Sequence, residues 1–114
     1  SYYAATARRE LGFAALEGAQ VADVAIVGGG LAGLSAAIEL ADRGFDVALL
    51  EAHEVGHGAS GRNGGQAIHG LACDQAEIEA QLGLDEARRV WGMSIEALDL
   101  IRARCARFAI DCDW

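Results

Sequence analysis

The sequence predicts an α/β fold, and three observations support this prediction. A short, nearly all-apolar run at 21–27 leads directly into three glycines, as is typical of a strand in a parallel sheet. Residues 31–43 then carry apolar side chains at helical spacing, and a second apolar run follows at 46–50. Helical patterns then fill residues 74–114. We therefore predict an incomplete Rossmann-like domain, a β-α-β unit with a glycine-rich loop, followed by helices.

The composition indicates a globular protein with few classes of partner. Of the 114 residues, 53% are hydrophobic and 23% are charged, which excludes disordered and collagen-like classes. The net charge of −8 disfavours binding to the phosphate backbone of a nucleic acid, so we expect no nucleic-acid partner. No apolar run is long enough to cross a bilayer, and the start lacks the apolar region of a signal peptide. We therefore expect no membrane association and a cytoplasmic location.

Three regions are expected along the chain. Residues 1–20 form an amino-terminal leader with a short helix predicted at 9–17, residues 21–73 form the β-α-β unit with its glycine-rich loop, and residues 74–114 form a helical segment. The chain begins with Ser and ends directly after a long helical pattern. We interpret it as a piece of a longer polypeptide.

The β-α-β unit has recognisable faces and ends. Its first strand is apolar at nearly every position, so we expect helices to cover both faces. Gly44 supplies the left-handed residue that ends the helix. The second strand, at 46–50, should pair in parallel with the first because a helix connects them.

Two helices are predicted in the helical segment. Asp74 and Glu77 have the spacing of a capping box at the start of a short helix, which Gly83 ends. A longer helix follows, and we interpret Trp91 on its apolar stripe as a core residue. The stripe comprises Leu84, Ala87, Trp91, Ile95, Leu98, Ile101, Cys105 and Phe108.

The glycines between the first strand and its helix predict a phosphate-binding turn. Gly28, Gly30 and Gly33 form a G-x-G-x-x-G motif, which allows a tight turn, a close pyrophosphate and close packing of helix against strand. Free N–H groups at the helix start favour a diphosphate. No Lys-Ser/Thr pair follows, which argues against a P-loop. The candidate residues are Gly28, Gly29, Gly30, Leu31, Ala32 and Gly33.

Glu51 stands at the end of the second strand, where a carboxylate can accept hydrogen bonds from both hydroxyls of an adenosine ribose. It would repel a 2′-phosphate, so NADP is disfavoured and NAD or FAD remains. Ala52 is included as its neighbour in the candidate site. The alternatives are a tight turn without ligand and a solvated carboxylate.

A long glycine-rich loop after Glu51 favours FAD over NAD, because an NAD domain should enter its next helix quickly. Ser60 is a candidate donor to a phosphate oxygen, and Arg62 could offset diphosphate charge or favour an anionic reduced flavin. A mobile loop is the alternative interpretation. The candidate residues are Ala59, Ser60, Gly61, Arg62, Asn63, Gly64 and Gly65.

The cysteines and histidines do not indicate a metal site. Three cysteines (Cys73, Cys105 and Cys112) lack C-x-x-C spacing and stand among apolar residues, so we interpret them as reduced and structural. Three histidines (His53, His57 and His69) fit no zinc spacing. We expect no metal, and the sequence assigns no catalytic residue.

The run DVAIVGGGLAGLSAAIELADRGFDVALLEAHEVGHGASGRNGGQ resembles the amino-terminal FAD-binding part of the D-amino acid oxidase-like FAD-dependent oxidoreductases. Within that group, SYYAATA, ASGRNGGQ and WGMSIEALDLI are most similar to enzymes of the gamma-glutamylputrescine oxidase type. The resemblance covers nearly the whole chain.

The resemblance implies FAD as cofactor and oxidation of the C–N bond of an amine or amino acid, with a gamma-glutamylputrescine-like compound as the sharpest substrate prediction. Oxygen or another electron acceptor would reoxidise the flavin. By position, the glycine motif would bind the pyrophosphate, Glu51 the ribose, and residues 59–65 the diphosphate, ribityl chain and flavin edge. Family members add the rest of the FAD domain and a substrate domain, so we expect the isolated chain to be inactive.

Two other functions stay open. One is an NAD-binding dehydrogenase domain, against which the long loop argues. The other is a noncatalytic fragment that self-associates through unpaired strand edges and an uncovered apolar helix stripe.

Overall fold

The computed structural model describes residues 2–6, 12–112 and 114 and divides the chain into two compact units, Ser1–Gly64 and Gly65–Trp114. The first unit contains helix α1 (Tyr2–Thr6), strand β1 (Val24–Val27), helix α2 (Leu31–Asp42), strand β2 (Val47–Leu50) and a 3₁₀ turn at Ala59–Gly61. The second contains helices α3 (Gln75–Leu82) and α4 (Leu84–Arg107). The predicted α/β class and β-α-β unit are confirmed in this order of elements.

The two strands form a parallel pair, as predicted. Val24 lies opposite Val47, and Val27 lies opposite Leu50. The pairing begins at Val24, later than the apolar run does, and at this end the backbone N–H groups of Asp23 and Val24 both donate to the carbonyl of Asp46, at 3.0 and 3.1 Å. The first strand is therefore shorter than the predicted 21–27.

Helix α2 crosses over between the strands and ends as the sequence predicts. Gly44 has a φ of +89° and donates its N–H to the carbonyl of Ala41 at 2.9 Å. The N–H of Phe45 donates to the carbonyl of Leu40 at 3.1 Å. This pair of hydrogen bonds is a Schellman motif, and it turns the chain sharply into β2.

Only one face of β1 is covered in the first unit, so the prediction of helices on both faces is wrong for the described residues. Val24 and Ile26 are half-buried, whereas Ala25 and Val27 are exposed, with Val27 86% exposed. The reason is that a single crossover helix, α2, packs against this two-stranded sheet.

In the second unit, α3 and α4 pack against each other. Asp74 caps α3 as predicted, since its Oδ1 accepts from the N–H of Ala76 at 3.1 Å. Gly83, with a φ of +79°, is the single residue between the two helices. Ile78 of α3 and Ala87 of α4 are buried at this contact.

Trp91 is not the core residue that the stripe predicts. Its side chain is 40% exposed, and its ring contacts the edge of His69 at 4.8 Å between centroids. The eight residues of α3 cover little of the 24-residue helix α4, so most of the stripe on α4 stays partly accessible within this unit.

The leader differs from the prediction. Residues 12–17 contain no helix, and the predicted start of that helix at 9–11 lies outside the described residues. Instead Tyr2–Thr6 is helical, and the Thr6 hydroxyl donates to the carbonyl of Tyr2 at 3.1 Å. None of the helices in the described part of the chain is long and apolar enough to cross a membrane.

Candidate dinucleotide-binding site

The turn after β1 depends on two glycines. Gly28 has a φ of +106°, which side chains rarely adopt, and its N–H donates to the carbonyl of Leu50 at 2.7 Å. A side chain at Gly33 would collide with the carbonyl oxygen of Gly28 and would lie 3.4 Å from Cγ2 of Ile26. The missing side chains therefore let the start of α2 pack directly on the end of β1.

Glu51 binds the middle of this turn. Its Oε2 accepts from the buried N–H of Gly29 at 2.6 Å, and its Oε1 accepts from the N–H of His53 at 3.0 Å. These hydrogen bonds, that of Gly29 above all, hold the pKa of the Glu51 carboxyl below its usual range, and partial desolvation opposes the shift. The carboxylate thus stays charged beside the glycine turn.

Ser60 reaches the start of α2 from the loop after β2. Its Oγ accepts from the N–H of Leu31 at 2.9 Å, and the helix has no cap from the side chain of its own N-cap residue, Gly30. A methyl group at Gly30 would lie 2.8 Å from the same Oγ. The hydroxyl therefore satisfies one of the amide groups that a helix start leaves without an internal partner.

The loop is fixed to the turn by backbone contacts as well. The N–H of Gly56 donates to the carbonyl of Gly29 at 2.9 Å, and Gly56 has a φ of +80°. A side chain at Gly61 would collide with the carbonyl oxygen of Gly56. The loop therefore folds back on itself around Ala59–Gly61 and does not run as an extended segment.

The other loop residues make local contacts. Arg62 Nη2 lies 3.3 Å from Nε2 of His57, and the guanidinium is the donor because it has no acceptor atom. The ring of His57 lies against that of His53, with 4.6 Å between centroids. Asn63 donates its amide to the carbonyl of Ser60 at 2.8 Å.

The structure brings together most, but not all, of the predicted site residues. The glycine turn, Glu51 and Ser60 are joined by direct hydrogen bonds. Gly64 ends the first unit, whereas Gly65, with a φ of +70°, begins the second. The roles assigned to all of these residues in binding a ligand stay predictions.

Sequence reasoning missed two contributors, Gly56 and His53. Both act through backbone N–H groups, Gly56 on the glycine turn and His53 on the Glu51 carboxylate. Their side chains therefore carry little signal. The high density of glycine in the loop was the one indication that its backbone approaches another segment closely.

Comparison with known proteins identifies the family. The profile of the DAO family, described as FAD dependent oxidoreductase, matches residues 23–114. The chain belongs to this family. Its members depend on FAD, so the predicted family resemblance and the cofactor prediction are confirmed. The match begins just before β1 and includes the glycine turn, Glu51 and the following loop.

Three curated relatives align with all 114 residues. Gamma-glutamylputrescine oxidoreductase of Escherichia coli (strain K12) is 47% identical to the chain. Proteins called probable oxidoreductase OrdL from Haemophilus influenzae and Rhizobium meliloti are 45% and 41% identical. The chain spans 27%, 26% and 27% of the lengths of these three relatives, respectively. No solved structure matched the chain.

Proposed function

We propose that the first unit binds the adenosine diphosphate part of FAD. The observation that carries this proposal is the pair of hydrogen bonds Glu51–Gly29 and Ser60–Leu31, at 2.6 and 2.9 Å. They gather a glycine turn, a helix N-terminus and a carboxylate at the carboxyl ends of two parallel strands. Ligands of α/β proteins bind at that end of a sheet.

Gly30 and Ser60 would hold the diphosphate. Gly30 has no side chain, and the methyl group of an alanine would press on the Ser60 hydroxyl, so the bare backbone lets this hydroxyl lie at the start of α2. Ser60 Oγ accepts from Leu31, which leaves its own hydrogen free to donate to a phosphate oxygen. The positive end of α2 adds to this attraction.

Glu51 would hold the adenosine ribose. Each carboxylate oxygen has two lone pairs, and each accepts one backbone N–H, so each keeps capacity for a ribose hydroxyl. The lowered pKa keeps the charge that strengthens these hydrogen bonds. The same charge would repel a 2′-phosphate, which supports FAD over an NADP-type ligand.

For the whole protein we propose oxidation of the C–N bond of an amine or amino acid, with a gamma-glutamylputrescine-like substrate. The name of the Escherichia coli relative and its 47% identity support this substrate class. Bound FAD would supply the two-electron acceptor, and oxygen or another acceptor would reoxidise it. The contribution of the described residues is to bind the cofactor and fix its position.

A competition titration tests the cofactor proposal. The intact apoprotein is titrated with FAD by flavin fluorescence, alone and with excess ADP, NAD or FMN. We expect FAD to bind and ADP to compete, since both carry the adenosine diphosphate, and FMN to compete weakly. Tighter binding of NAD than of FAD would contradict the proposal and favour a dehydrogenase domain.

Self-association without catalysis is a second candidate, favoured by the exposure of apolar side chains at the end of β1 and the start of α2. Val27 is 86% exposed and Leu31 is 69% exposed. Sedimentation of the intact protein across a range of concentrations tests it. A mass that rises with concentration would support self-association, and a constant monomer mass would exclude it.

A further inference from the structure

Two cysteines lie in contact at the end of α4 in the second unit, and neither belongs to the sequence-predicted site residues. Cys105 Sγ lies 3.6 Å from Cys112 Sγ, and no disulfide joins the two sulfur atoms. Cys105 belongs to the last turn of the helix, and Cys112 follows the helix end. The sequence interpretation of these cysteines as structural rested on apolar neighbours, yet Cys112 is exposed and Cys105 is only half-buried.

The backbone explains why these two thiols meet. The N–H of Ile110 donates to the carbonyl of Cys105 at 2.9 Å, and the N–H of Ala109 donates to that of Ala106 at 3.3 Å. This is a Schellman motif with Ala109, at a φ of +49°, in the position that glycine usually takes. This turn reverses the direction of the chain after Cys105. Cys112 therefore comes back to lie beside Cys105.

We propose that Cys105 and Cys112 form a redox modification site, a dithiol that a small-molecule disulfide converts into an intramolecular disulfide. A disulfide needs sulfur atoms about 2.05 Å apart, so the observed contact must close further through side-chain rotation. The thiolate of one cysteine attacks the small disulfide, forms a mixed disulfide and releases one small thiol. The second cysteine then attacks the protein sulfur of that mixed disulfide and releases the other small thiol.

The two-step exchange is balanced. The protein pair loses two electrons and two protons, and the small disulfide gains both as two thiols. Uncatalysed thiol–disulfide exchange takes seconds to hours, so the protein needs time to reach equilibrium with the mixture. The test is therefore an equilibrium measurement and not a rate.

The experiment incubates the intact protein in mixtures of oxidised and reduced glutathione, blocks free thiols by alkylation, and maps tryptic peptides by mass spectrometry. Trypsin cleaves after Arg104 and Arg107, which places Cys105 and Cys112 on separate peptides. We expect these two peptides to appear joined, with the loss of two hydrogen atoms, in oxidising mixtures. Reducing mixtures should separate them.

Single substitutions supply the controls. Cys73→Ser is the matched control, because it removes another exposed cysteine of the same unit. It should keep the cross-link between Cys105 and Cys112. Cys105→Ser and Cys112→Ser should each abolish it and leave a glutathione adduct on the remaining thiol. Separate adducts on Cys105 and Cys112 of one molecule, a cross-link through Cys73, or no oxidation in the wild-type protein would each overturn the proposal.

Discussion

The carboxylate of Glu51 accepts a hydrogen bond from the backbone N–H of Gly29 at 2.6 Å, which joins the end of β2 to the turn after β1. The same carboxylate accepts from His53 at 3.0 Å. A charged side chain thus organises the backbone at the edge of the sheet where a dinucleotide would bind. Both the local stability and the proposed FAD affinity should depend on that charge.

Glu51→Gln should weaken FAD binding several-fold, because a neutral amide forms weaker hydrogen bonds with ribose hydroxyls than a carboxylate does. Glu39→Gln is the matched control, since it removes the same charge from the exposed ion pair with Arg43 on α2. The Kd of FAD for both variants checks the prediction. Equal affinity of Glu51→Gln and wild type would mean that Glu51 does not contact the cofactor.

Glu51 should also make stability depend on pH in a defined direction. Its pKa is lowered in the folded chain, so its contribution is fully present above the pKa of an unfolded glutamate. The contribution is lost as the pH falls through the lower folded pKa. Chemical unfolding of wild type and Glu51→Gln at several pH values should show a gap at neutral pH that closes in acid; a gap that widens in acid would contradict this.

Ser60→Ala should destabilise the first unit by about 1 kcal/mol, because it removes the hydrogen bond that caps Leu31 at the start of α2. Ser94→Ala is the control. Its hydroxyl donates to the carbonyl of Trp91 within α4 at 2.7 Å and caps no helix start. Denaturant midpoints measure both effects, and equal midpoints for the two variants would argue against a capping role.

For the two Schellman turns we predict opposite effects of substitution on stability. Gly44 ends α2 with a φ of +89°, and Ala109 ends α4 with a φ of +49°. A side chain in the left-handed region costs roughly 1 kcal/mol, so Gly44→Ala should destabilise and Ala109→Gly should stabilise. Thermal unfolding of both variants checks the signs, and stabilisation by Gly44→Ala would show that the turn rearranges.

Much of the fold follows from local patterns. The apolar runs, the helical spacing of 31–43 and the glycine at position 44 predict the β-α-β unit, because each signal lies within a few residues of the structure that it forms. Asp74 likewise predicts the start of α3 through a contact with Ala76. Short-range chemistry of this kind can be read directly from the sequence.

The remaining features depend on contacts that local patterns do not contain. Ser60 caps a helix that begins 29 residues earlier, so nothing near either segment indicates the pairing. Ala109 adopts a left-handed backbone conformation that favours glycine, so a prediction from residue preferences does not place a helix end there. The exposure of Trp91 reflects how little of α4 the short helix α3 covers.

The central claim is that the glycine turn binds the diphosphate of FAD, and the affinity of Gly30→Ala for FAD tests it most directly. The backbone of Gly30 is extended and suits alanine, but the added methyl group would displace the Ser60 hydroxyl, the group that we propose donates to the phosphate. Gly92→Ala adds the same methyl group on α4, where nothing lies within 4 Å. We predict that Gly30→Ala raises the Kd of FAD by about tenfold or more and that Gly92→Ala leaves it unchanged. Unchanged affinity in Gly30→Ala, with the fold intact, would contradict the claim.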